Sequence, residues 1–396
     1  MKQQTEFGEI PLEWEVKQVI EIKDEAKRAI AMGPFGSNIK AENFVESGVP
    51  VIRGTNMNFA KFVDGEFVFL TEKKADELLG SNCHPDDLVF THRGTIGQVA
   101  LIPKNKYPRY VISQSGMKLT VNQEVMDSEF LFYFFKSEYG QYQILKYEAQ
   151  VGVPSISNPL TSLKQMCVPV PPLPEQKAIA SVLSSLDDKI DLLHRQNKTL
   201  EAMAETLFRQ WFIEEAKEDW IKGKVEDLFT LQRGYDLPSS KRIKGEFPLY
   251  AASGLNDMIN AYQVEYPTVI TGRSGSIGGV YISLEKSWPL NTTLFIKEFK
   301  LGTLVFSYFY LKYLDLESFN AGSAVPSLNR NHVHGLEIQL PPSQLIKEYE
   351  EIAQDWMLKV KANKHQIQTL ENLRDTLLPK LMSGEVRVQY QTEEVA

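Results

Sequence analysis

The feature that most constrains the fold of this chain is an internal duplication. Short motifs recur in the second half in the same order as in the first, with offsets that drift smoothly from 170 to 181 residues. Because an ordered series of matches marks a repeated supersecondary unit, the sequence predicts two copies of one structure. The matched segments are TLE at 199–201 and 369–371, VPS at 153–155 and 325–327, and GTIG at 94–97 with GSIG at 275–278.

Each half ends in a long predicted helix. Apolar residues recur at steps of three and four from Ile179 to Trp211 and from Tyr349 to Leu381, which is a heptad seam. Asn197 and Asn363 occupy seam positions, where a polar residue either fixes the register or is tolerated at a wet edge. About forty residues form a rod of roughly 60 Å, too long for a small domain to cover. We expect the two helices to pack on each other, antiparallel; the alternative is a coiled coil with a foreign partner or a second copy.

The segment before each helix mixes short β-type runs with Gly, Asn and Pro turns and one aromatic-rich helical stretch, without βαβ spacing. The predicted fold class is therefore α+β, with two repeated mixed α/β domains separated by two long antiparallel coiled-coil helices. The predicted bounds are 1–172 for the first domain, 173–215 for the first helix, 216–340 for the second domain, 341–384 for the second helix and 385–396 for a C-terminal tail.

Composition restricts the possible functions. No apolar run is long enough for a membrane span, and the N-terminus has no apolar signal region. The two cysteines lie 84 positions apart, which suits a reducing cytoplasm. The net charge is −8, and dividing the chain after residues 172, 215 and 340 gives −3, −3, 0 and −2. A solitary, high-affinity nucleic-acid binder is disfavoured unless cations are concentrated on one face or partners share the contacts.

No constellation typical of an enzyme is present. The sequence GRSGSIGG at 272–279 lacks the lysine of a phosphate-binding loop, and SNPL at 157–160 falls short of the Asn/Asp-Pro-Pro-aromatic loop of amino-methyltransferases. The six histidines show neither HExxH nor Cys/His ligand spacing. We therefore predict no catalytic residue, no bound cofactor and no metal site.

Several loops suit DNA, because they combine glycine with cations and short amide or hydroxyl side chains. Arg and Lys neutralise phosphates or pair with guanine, while Asn and Gln suit adenine. Turn formation alone is the alternative for any one loop, but such loops recur in both copies, for instance around the paired glycine turns, which Arg93 and Arg273 accompany. The candidate DNA-binding residues are Ser37, Asn38, Lys40, Arg53, Thr55, Asn56, Arg93, Thr95, Gln114, Ser115, Arg233, Lys241, Arg242, Arg273, Ser274, Ser276, Asn291, Thr292 and Arg330.

The order of domains and several motifs resemble a known family. The pieces that carry the resemblance are GPFGSN at 33–38, VIRGTN at 51–56, THRGTIG at 91–97, VPSISNPLTSLKQMCVPVPPLPEQKAIASVLSSLDDKI at 153–190, TGRSGSIG at 271–278 and PLNTTLF at 289–295. Over nearly its whole length the chain resembles specificity (S) subunits of Type I restriction-modification enzymes. The second junction, LPPSQL, departs from the PPLPEQ of the first.

The resemblance implies a non-catalytic subunit in a prokaryotic cytoplasm. Each domain would be a target-recognition domain that reads one half of a bipartite double-stranded DNA sequence, and the helices would bind two methyltransferase (M) subunits. S-adenosylmethionine, and ATP with Mg if restriction (R) subunits join, would belong to those partners. A coiled-coil structural or adaptor protein without DNA specificity is the alternative function. The candidate partner-binding residues are Pro174, Glu175, Gln176, Asn197, Phe208, Trp211, Trp356, Asn363 and Leu377.

Overall fold

The computed structural model describes residues 2–26, 28–34, 38–58, 61–149, 152–320 and 325–389. Its contacts group into two compact units. Unit 1 comprises Met1–Leu192 with Gln368–Ala396, and unit 2 comprises Leu193–Ile367. Each unit therefore joins one globular part of the chain to parts of both long helices. Within the described ranges, no helix has the length and apolar character to cross a bilayer.

Unit 1 contains two larger sheets and a set of short helices. Its strands are β1 Lys2–Thr5, β2 Gly8–Pro11, β3 Glu15–Gln18, β4 Ile30–Met32, β5 Phe44–Val45, β6 Val49–Ile52, β7 Val68–Leu70, β8 Asn82–Cys83, β9 Leu88–Thr91, β10 Val99–Leu101, β11 Tyr110–Ile112, β12 Gly116–Leu119 and β13 Cys167–Val170. Its short helices are α1 Val19–Ile22, α2 Glu72–Glu77, α3 Ser128–Lys136, α4 Glu138–Leu145 and α5 Pro159–Gln165.

The sheets of unit 1 have strand orders β10-β9-β12-β4, β5-β7-β6-β11-β8, β13-β3 and β1-β2. All pairs are antiparallel except β6 with β11. The aromatic-rich helix α3, SEFLFYFFK, is buried on nearly every side and contributes six consecutive buried aromatic or aliphatic residues from Phe130 to Phe135. Such a helix forms the centre of a core, because it is apolar all round.

The long helix α6, Leu173–Arg209, ends in a π-helical turn, Gln210–Glu214. The remaining elements are β14 Ile221–Lys224, α7 Val225–Leu228, β15 Phe229–Arg233, β16 Lys244–Ala251, β17 Gly254–Ile259, β18 Thr268–Gly272, β19 Val280–Ser283, β20 Trp288–Pro289, β21 Thr293–Phe299, α8 Leu304–Tyr313, α9 Arg330–His334, β22 Glu337–Leu340 and the long helix α10, Ser343–Met382. The sheets of unit 2 have strand orders β15-β21-β18-β19, β17-β16-β20 and β14-β22.

The two units repeat one topology. The sheet β4-β12-β9-β10 corresponds strand by strand to β15-β21-β18-β19, and the parallel pair β6 with β11 corresponds to β16 with β20. The pair β3 with β13 corresponds to β14 with β22, and each pair leads through two prolines into a long helix. The predicted duplication is therefore present in the structure, and β1, β2, β5, β8 and α2 are among the elements that only the first copy has.

In unit 1, α6 and α10 pack antiparallel. Asp187 on α6, only 5% exposed, accepts a hydrogen bond from Arg374 on α10 at 2.9 Å and from the Tyr133 hydroxyl at 2.8 Å. Further along, Arg387 beyond the end of α10 binds Glu175 near the start of α6. Residue numbers that rise on one helix while they fall on the other define the antiparallel direction.

In unit 2 the two seam asparagines meet. The Asn363 amide donates to Asn197 Oδ1 at 2.8 Å and to Gln196 Oε1 at 2.9 Å, and the Tyr349 hydroxyl donates to the Ala204 carbonyl at 3.0 Å. These pairs again run antiparallel. The fold class is confirmed: α+β, with two repeated mixed domains and two long antiparallel helices, and the polar seam residues are partners of each other.

Candidate nucleic-acid interface

Five loops converge at one end of the sheets of unit 1. We call them loop cluster 1; they comprise residues 33–34, 53–58, 92–98, 113–116 and 152–156. Loops from distant parts of the sequence meet there because four strands, β4, β6, β9 and β11, end at this edge. The backbone hydrogen bonds that join them run from Gly33 N–H to Gly116 O (2.9 Å), Ser113 to Ile52 (2.9 Å), His92 to Ser115 (2.9 Å), Ile156 to His92 (2.8 Å) and Gly94 to Pro154 (2.8 Å).

Unit 2 builds the same arrangement. Loop cluster 2 comprises residues 233–235, 251–254, 273–279, 290–293 and 325–328. Each of these hydrogen bonds of loop cluster 1 has a counterpart, so the two clusters share one hydrogen-bonded loop framework. The matching bonds run from Gly234 N–H to Thr293 O (3.1 Å), Leu290 to Tyr250 (2.8 Å), Arg273 to Thr292 (2.8 Å), Leu328 to Arg273 (2.8 Å) and Gly275 to Pro326 (3.0 Å).

The second glycine of each glycine turn is required by the backbone. Gly97 has φ +88° and Gly278 has φ +93°, a region that L side chains rarely adopt. A Cβ at Gly97 would lie 2.7 Å from the Gln141 side chain, and one at Gly278 would lie 2.5 Å from the Glu317 side chain. The repeated glycines therefore shape the loops, and the side chains around them are left to differ between the clusters.

In unit 1 the structure brings most of the predicted residues together. Arg53, Thr55, Arg93, Thr95 and Gln114 are exposed in loop cluster 1. The Arg53 guanidinium donates to the Glu66 carbonyl at 3.3 Å, whereas that of Arg93 has no hydrogen-bond or ion-pair partner among the described residues. The half-buried Ser115 hydroxyl lies 3.2 Å from that of Ser113.

Two other predicted residues of unit 1 lie outside loop cluster 1. Asn38 and Lys40 are exposed in the segment that follows its first loop, and Lys40 pairs with Glu42 at 3.7 Å. Ser37 lies outside the described residues.

Asn56 has a structural role that the sequence did not reveal. It is 1% exposed, and its amide donates to the carbonyls of Asp64 at 3.0 Å and Glu66 at 2.9 Å while its oxygen accepts from the Arg53 N–H at 3.0 Å. Because these contacts hold its own loop, the amide is not available to a base. We therefore leave Asn56 out of the candidate interface.

In unit 2 two arginines lie at the ends of β15 and β18, the two strands that flank β21. Arg233 ends β15 opposite Leu294, and Arg273 follows β18; burial and the Arg233 charge lower the pKa of Arg273. Arg273 Nε donates to the Asn291 carbonyl at 3.1 Å, and the Asn291 amide donates to Asp236 at 2.6 Å. Because the Arg233 charge acts on Arg273, a bound polyanion would relieve the repulsion between the two arginines.

The remaining predicted residues of unit 2 divide into two groups. Ser274, Ser276 and Thr292 lie in loop cluster 2, whereas Lys241, Arg242 and Arg330 lie outside it. Lys241 ends the turn Ser239–Lys241, and the Arg242 guanidinium is bound to the Leu237 carbonyl at 3.3 Å and to Asn256 at 3.0 Å. Arg330 is the exposed first residue of α9.

The arginines beside the two glycine turns, Arg93 and Arg273, are not structural counterparts. The matched hydrogen bonds align Gly94 with Gly275, and this alignment places His92, not Arg93, at the position of Arg273. Sequence reasoning missed His92 as a site residue. The signal was present, because superposing GTIG on GSIG gives the same alignment. The candidate residues, however, were chosen among cationic, amide and hydroxyl side chains, which left His92 out.

The junction residues chosen as partner-binding candidates are buried within unit 1. Glu175, 0% exposed, accepts from Trp14 Nε1 at 3.1 Å and from Arg387 Nε at 2.6 Å and Nη2 at 3.0 Å. Gln176, also 0% exposed, accepts from the Asp127 N–H at 2.8 Å and donates to the Val125 carbonyl at 3.0 Å. The assignment of both to a partner surface is wrong for this structure, because their polar atoms fix the start of α6 to its own domain.

The seam residues need the same correction. Asn197 and Asn363 bind each other, and Phe208 is 1% exposed among the rings of Phe212, Phe306 and Tyr349, so none of the three is free for a partner. Pro174 is exposed, while Trp211, Trp356 and Leu377 are half-buried.

A groove on the helix pair of unit 2 remains accessible. It has a volume of about 530 Å³ and is lined by Lys198, Thr199, Ala202, Met203, Thr206, Leu207, Gln210 and Trp356. Met203 is 44% exposed, and its counterpart in the second copy, Leu373, is also 44% exposed in unit 1. The groove thus lies beside the first copy of the TLE motif, at 199–201, since Thr199 lines it.

Comparisons with known proteins agree with this architecture. A family model described as Type I restriction modification DNA specificity domain matches residues 12–202 and 217–372. The MjaIX specificity subunit of a Type I restriction enzyme from Methanocaldococcus jannaschii is 25% identical, covering 98% of this chain and 96% of the relative. A second relative from that organism, the putative MjaX specificity subunit, is 24% identical over 97% of this chain and 96% of its own length.

A solved structure shows the same fold. The S subunit of a Type I restriction-modification system from M. genitalium matches with a TM-score of 0.68 at 20% identity, covering 97% of both chains. The relatives are named as specificity subunits, so the prediction of a non-catalytic subunit with a role in DNA sequence recognition is confirmed by family. The chain belongs to the Type I restriction-modification DNA specificity family.

Proposed function

We propose that loop clusters 1 and 2 each read one half of a bipartite double-stranded DNA target. The observation that carries the proposal is the pairing of one shared loop framework with two different sets of side chains. Loop cluster 1 presents Arg53, Arg93 and Gln114, whereas loop cluster 2 presents Arg233 and Arg273. A common framework fixes the approach to the backbone of the duplex, and different side chains at the base edges give different sequences.

The charge distribution supports this proposal. The chain has 51 acidic residues, yet neither loop cluster as defined contains one, and each contains two arginines. Asp236, directly after the first loop of cluster 2, is bound to the Asn291 amide. The overall charge of −8 is therefore less of an obstacle, because the arginines of each cluster have no acidic residue beside them within the same loops.

We propose further that the open faces of α6 and α10 bind two methyltransferase subunits. The support is the repetition of exposed residues: Met203 in unit 2 and Leu373 in unit 1 occupy equivalent helix positions with equal exposure. An exposed apolar side chain in each copy suits two copies of one partner. In this proposal S-adenosylmethionine, and ATP with Mg where restriction subunits join, bind to the partners, and the cytoplasmic location stays a prediction.

Exchange of one recognition domain tests the division of labour. Residues 1–168 would be replaced by the equivalent segment of another specificity subunit, and the methylated motif would be determined by methylation sequencing of cells that express the hybrid with its partners. We expect one half of the motif to change and the other half to remain. An active hybrid whose motif changes in both halves contradicts independent reading.

A charge on the helix face tests partner binding. Met203→Glu places a carboxylate in the groove of unit 2 and should weaken co-purification with the methyltransferase subunit, because an exposed apolar contact is replaced by a charge. Leu358→Glu is the matched control, since Leu358 is 48% exposed on α10 and does not line the groove. If the two variants changed co-purification to the same extent, the methyltransferase subunit would not bind at the groove of unit 2.

A further inference from the structure

The residue after β9 in unit 1 and the residue after β18 in unit 2 make the same side-chain contact with different chemistry. His92 Nε2 lies 3.1 Å from the Gln114 carbonyl, and Arg273 Nε lies 3.1 Å from the Asn291 carbonyl. Gln114 and Asn291 are equivalent, because the residues that follow them accept the matched backbone bonds from His92 and Arg273. In each unit a side-chain nitrogen thus fixes the carbonyl of the fourth loop.

The two side chains differ in the charge and the hydrogen-bond donors that they still offer once this contact is made. The Arg273 guanidinium uses only Nε; among the described residues its terminal nitrogens have no partner. The His92 ring is 7% exposed, and burial lowers its pKa, so the imidazole is neutral near pH 7 and adds no cation. At the next position the charge is in unit 1 instead: Arg93 is exposed and has no side-chain partner in the described part of the chain, whereas its counterpart is the half-buried Ser274.

We propose that unit 1 divides between His92 and Arg93 the two tasks that Arg273 performs alone in unit 2: fixing the fourth loop and presenting a cation to DNA. The proposal rests on the DNA-reading function of the loop clusters. His92 is then a positioning residue, while Arg93 and Arg273 contact the duplex from positions one residue apart. Because each cluster contains one adjacent pair, His92-Arg93 or Arg273-Ser274, either arrangement can be installed in the other unit by two substitutions.

The first experiment installs the unit 1 arrangement in unit 2. The full chain is assembled with its methyltransferase subunits, and affinity is measured at pH 8 for a duplex carrying the motif found by methylation sequencing. Arg273→His keeps a nitrogen at the loop and removes the cation, so affinity should fall about fivefold or more. Adding Ser274→Arg should restore it to within about twofold. The salt slope should fall by about one in the single variant and recover in the double variant if the contact is to phosphate.

The second experiment makes the reverse change in unit 1. Arg93→Ser should weaken binding by a similar factor, and His92→Arg in that background should restore it. His92→Gln keeps an N–H donor near the position of Nε2 and should leave the recognised motif unchanged. His92→Ala removes the loop contact and should relax the first half of the motif while the second half stays intact, an outcome that general destabilisation would not produce.

Each outcome bears on one of the two proposals. Thermal melting first confirms that every variant is folded. If a variant of one unit does not fold, the exchange in the other unit still tests the proposal. Failure of both second-site substitutions to restore binding overturns the division of tasks. Failure of the wild-type complex to bind any sequence-defined duplex overturns the proposed function itself.

Discussion

Replacement of the seam asparagines by leucine, Asn197→Leu with Asn363→Leu, should stabilise unit 2. In the wild-type chain Asn363 is 1% exposed and donates two hydrogen bonds, while its Oδ1 is buried without a partner among the described residues. Removing the unpaired oxygen gains about 1–3 kcal/mol, which offsets the loss of two bonds at about 0.5–1.5 kcal/mol each. Burial of two leucines then adds about 3 kcal/mol.

The measurement is differential scanning calorimetry together with size-exclusion chromatography. At about 2–4 °C per kcal/mol for a unit of this size, the double variant should melt about 6–12 °C higher. Asn363→Leu alone should gain much less, because it leaves the Asn197 amide buried without its partner. We also expect the double variant to self-associate through alternative helix registers, since polar seam residues specify register at a cost in stability.

An exposed asparagine on the same helix provides the control. Asn372→Leu should change the free energy of unfolding by no more than about 0.5 kcal/mol. A double variant that melts below the wild type would refute this reasoning, because the asparagine pair would then contribute net stability rather than specificity.

Three further predictions concern other contacts. Arg387→Ala leaves the buried Glu175 carboxylate with Trp14 as its partner and should lower the free energy of unfolding by about 1–3 kcal/mol in urea titrations; no change would mean that the contact is dispensable. Burial lowers the pKa of His92 and His334, so the folded chain binds protons less readily than the unfolded chain, and stability should fall as the pH drops below about 6.5. The pH dependence of urea midpoints checks this, and His92→Gln should reduce it. Gly278→Ala, at φ +93°, should lower the melting temperature and weaken DNA binding, whereas Gly80→Ala, with no atom within 4 Å of the new methyl group, should do neither.

The sequence by itself determined the repeat and its elements. The short β-type runs of both halves are strands in the structure, for example β6 Val49–Ile52, β9 Leu88–Thr91 and β19 Val280–Ser283. The heptad pattern predicted Ile190 and Asn197 in the helix seam, where both are buried. These features are readable because strand and helix periodicity is local: each residue's face follows from its neighbours in the chain.

The assignment of polar side chains depended on tertiary contacts. The motif PPLPEQ stands out in the sequence, yet Glu175 and Gln176 are buried by Trp14 and Asp127, which are far away in the chain. Asn56 resembles a DNA-reading amide but satisfies the carbonyls of its own loop. Whether a polar group is free or bonded is set by the residues that folding brings beside it, and a buried polar group must find such a partner.

The equivalence of His92 with Arg273 shows the same limit at the site. The spacing of the glycine turns gives the alignment, but only the matched hydrogen bonds at 3.1 Å show that an imidazole and a guanidinium hold the same loop carbonyl. Local sequence determined where the loops begin and end. The packing of five loops from distant segments decided which side chains support the framework and which remain available to DNA, because that division follows from contacts between residues far apart in the chain.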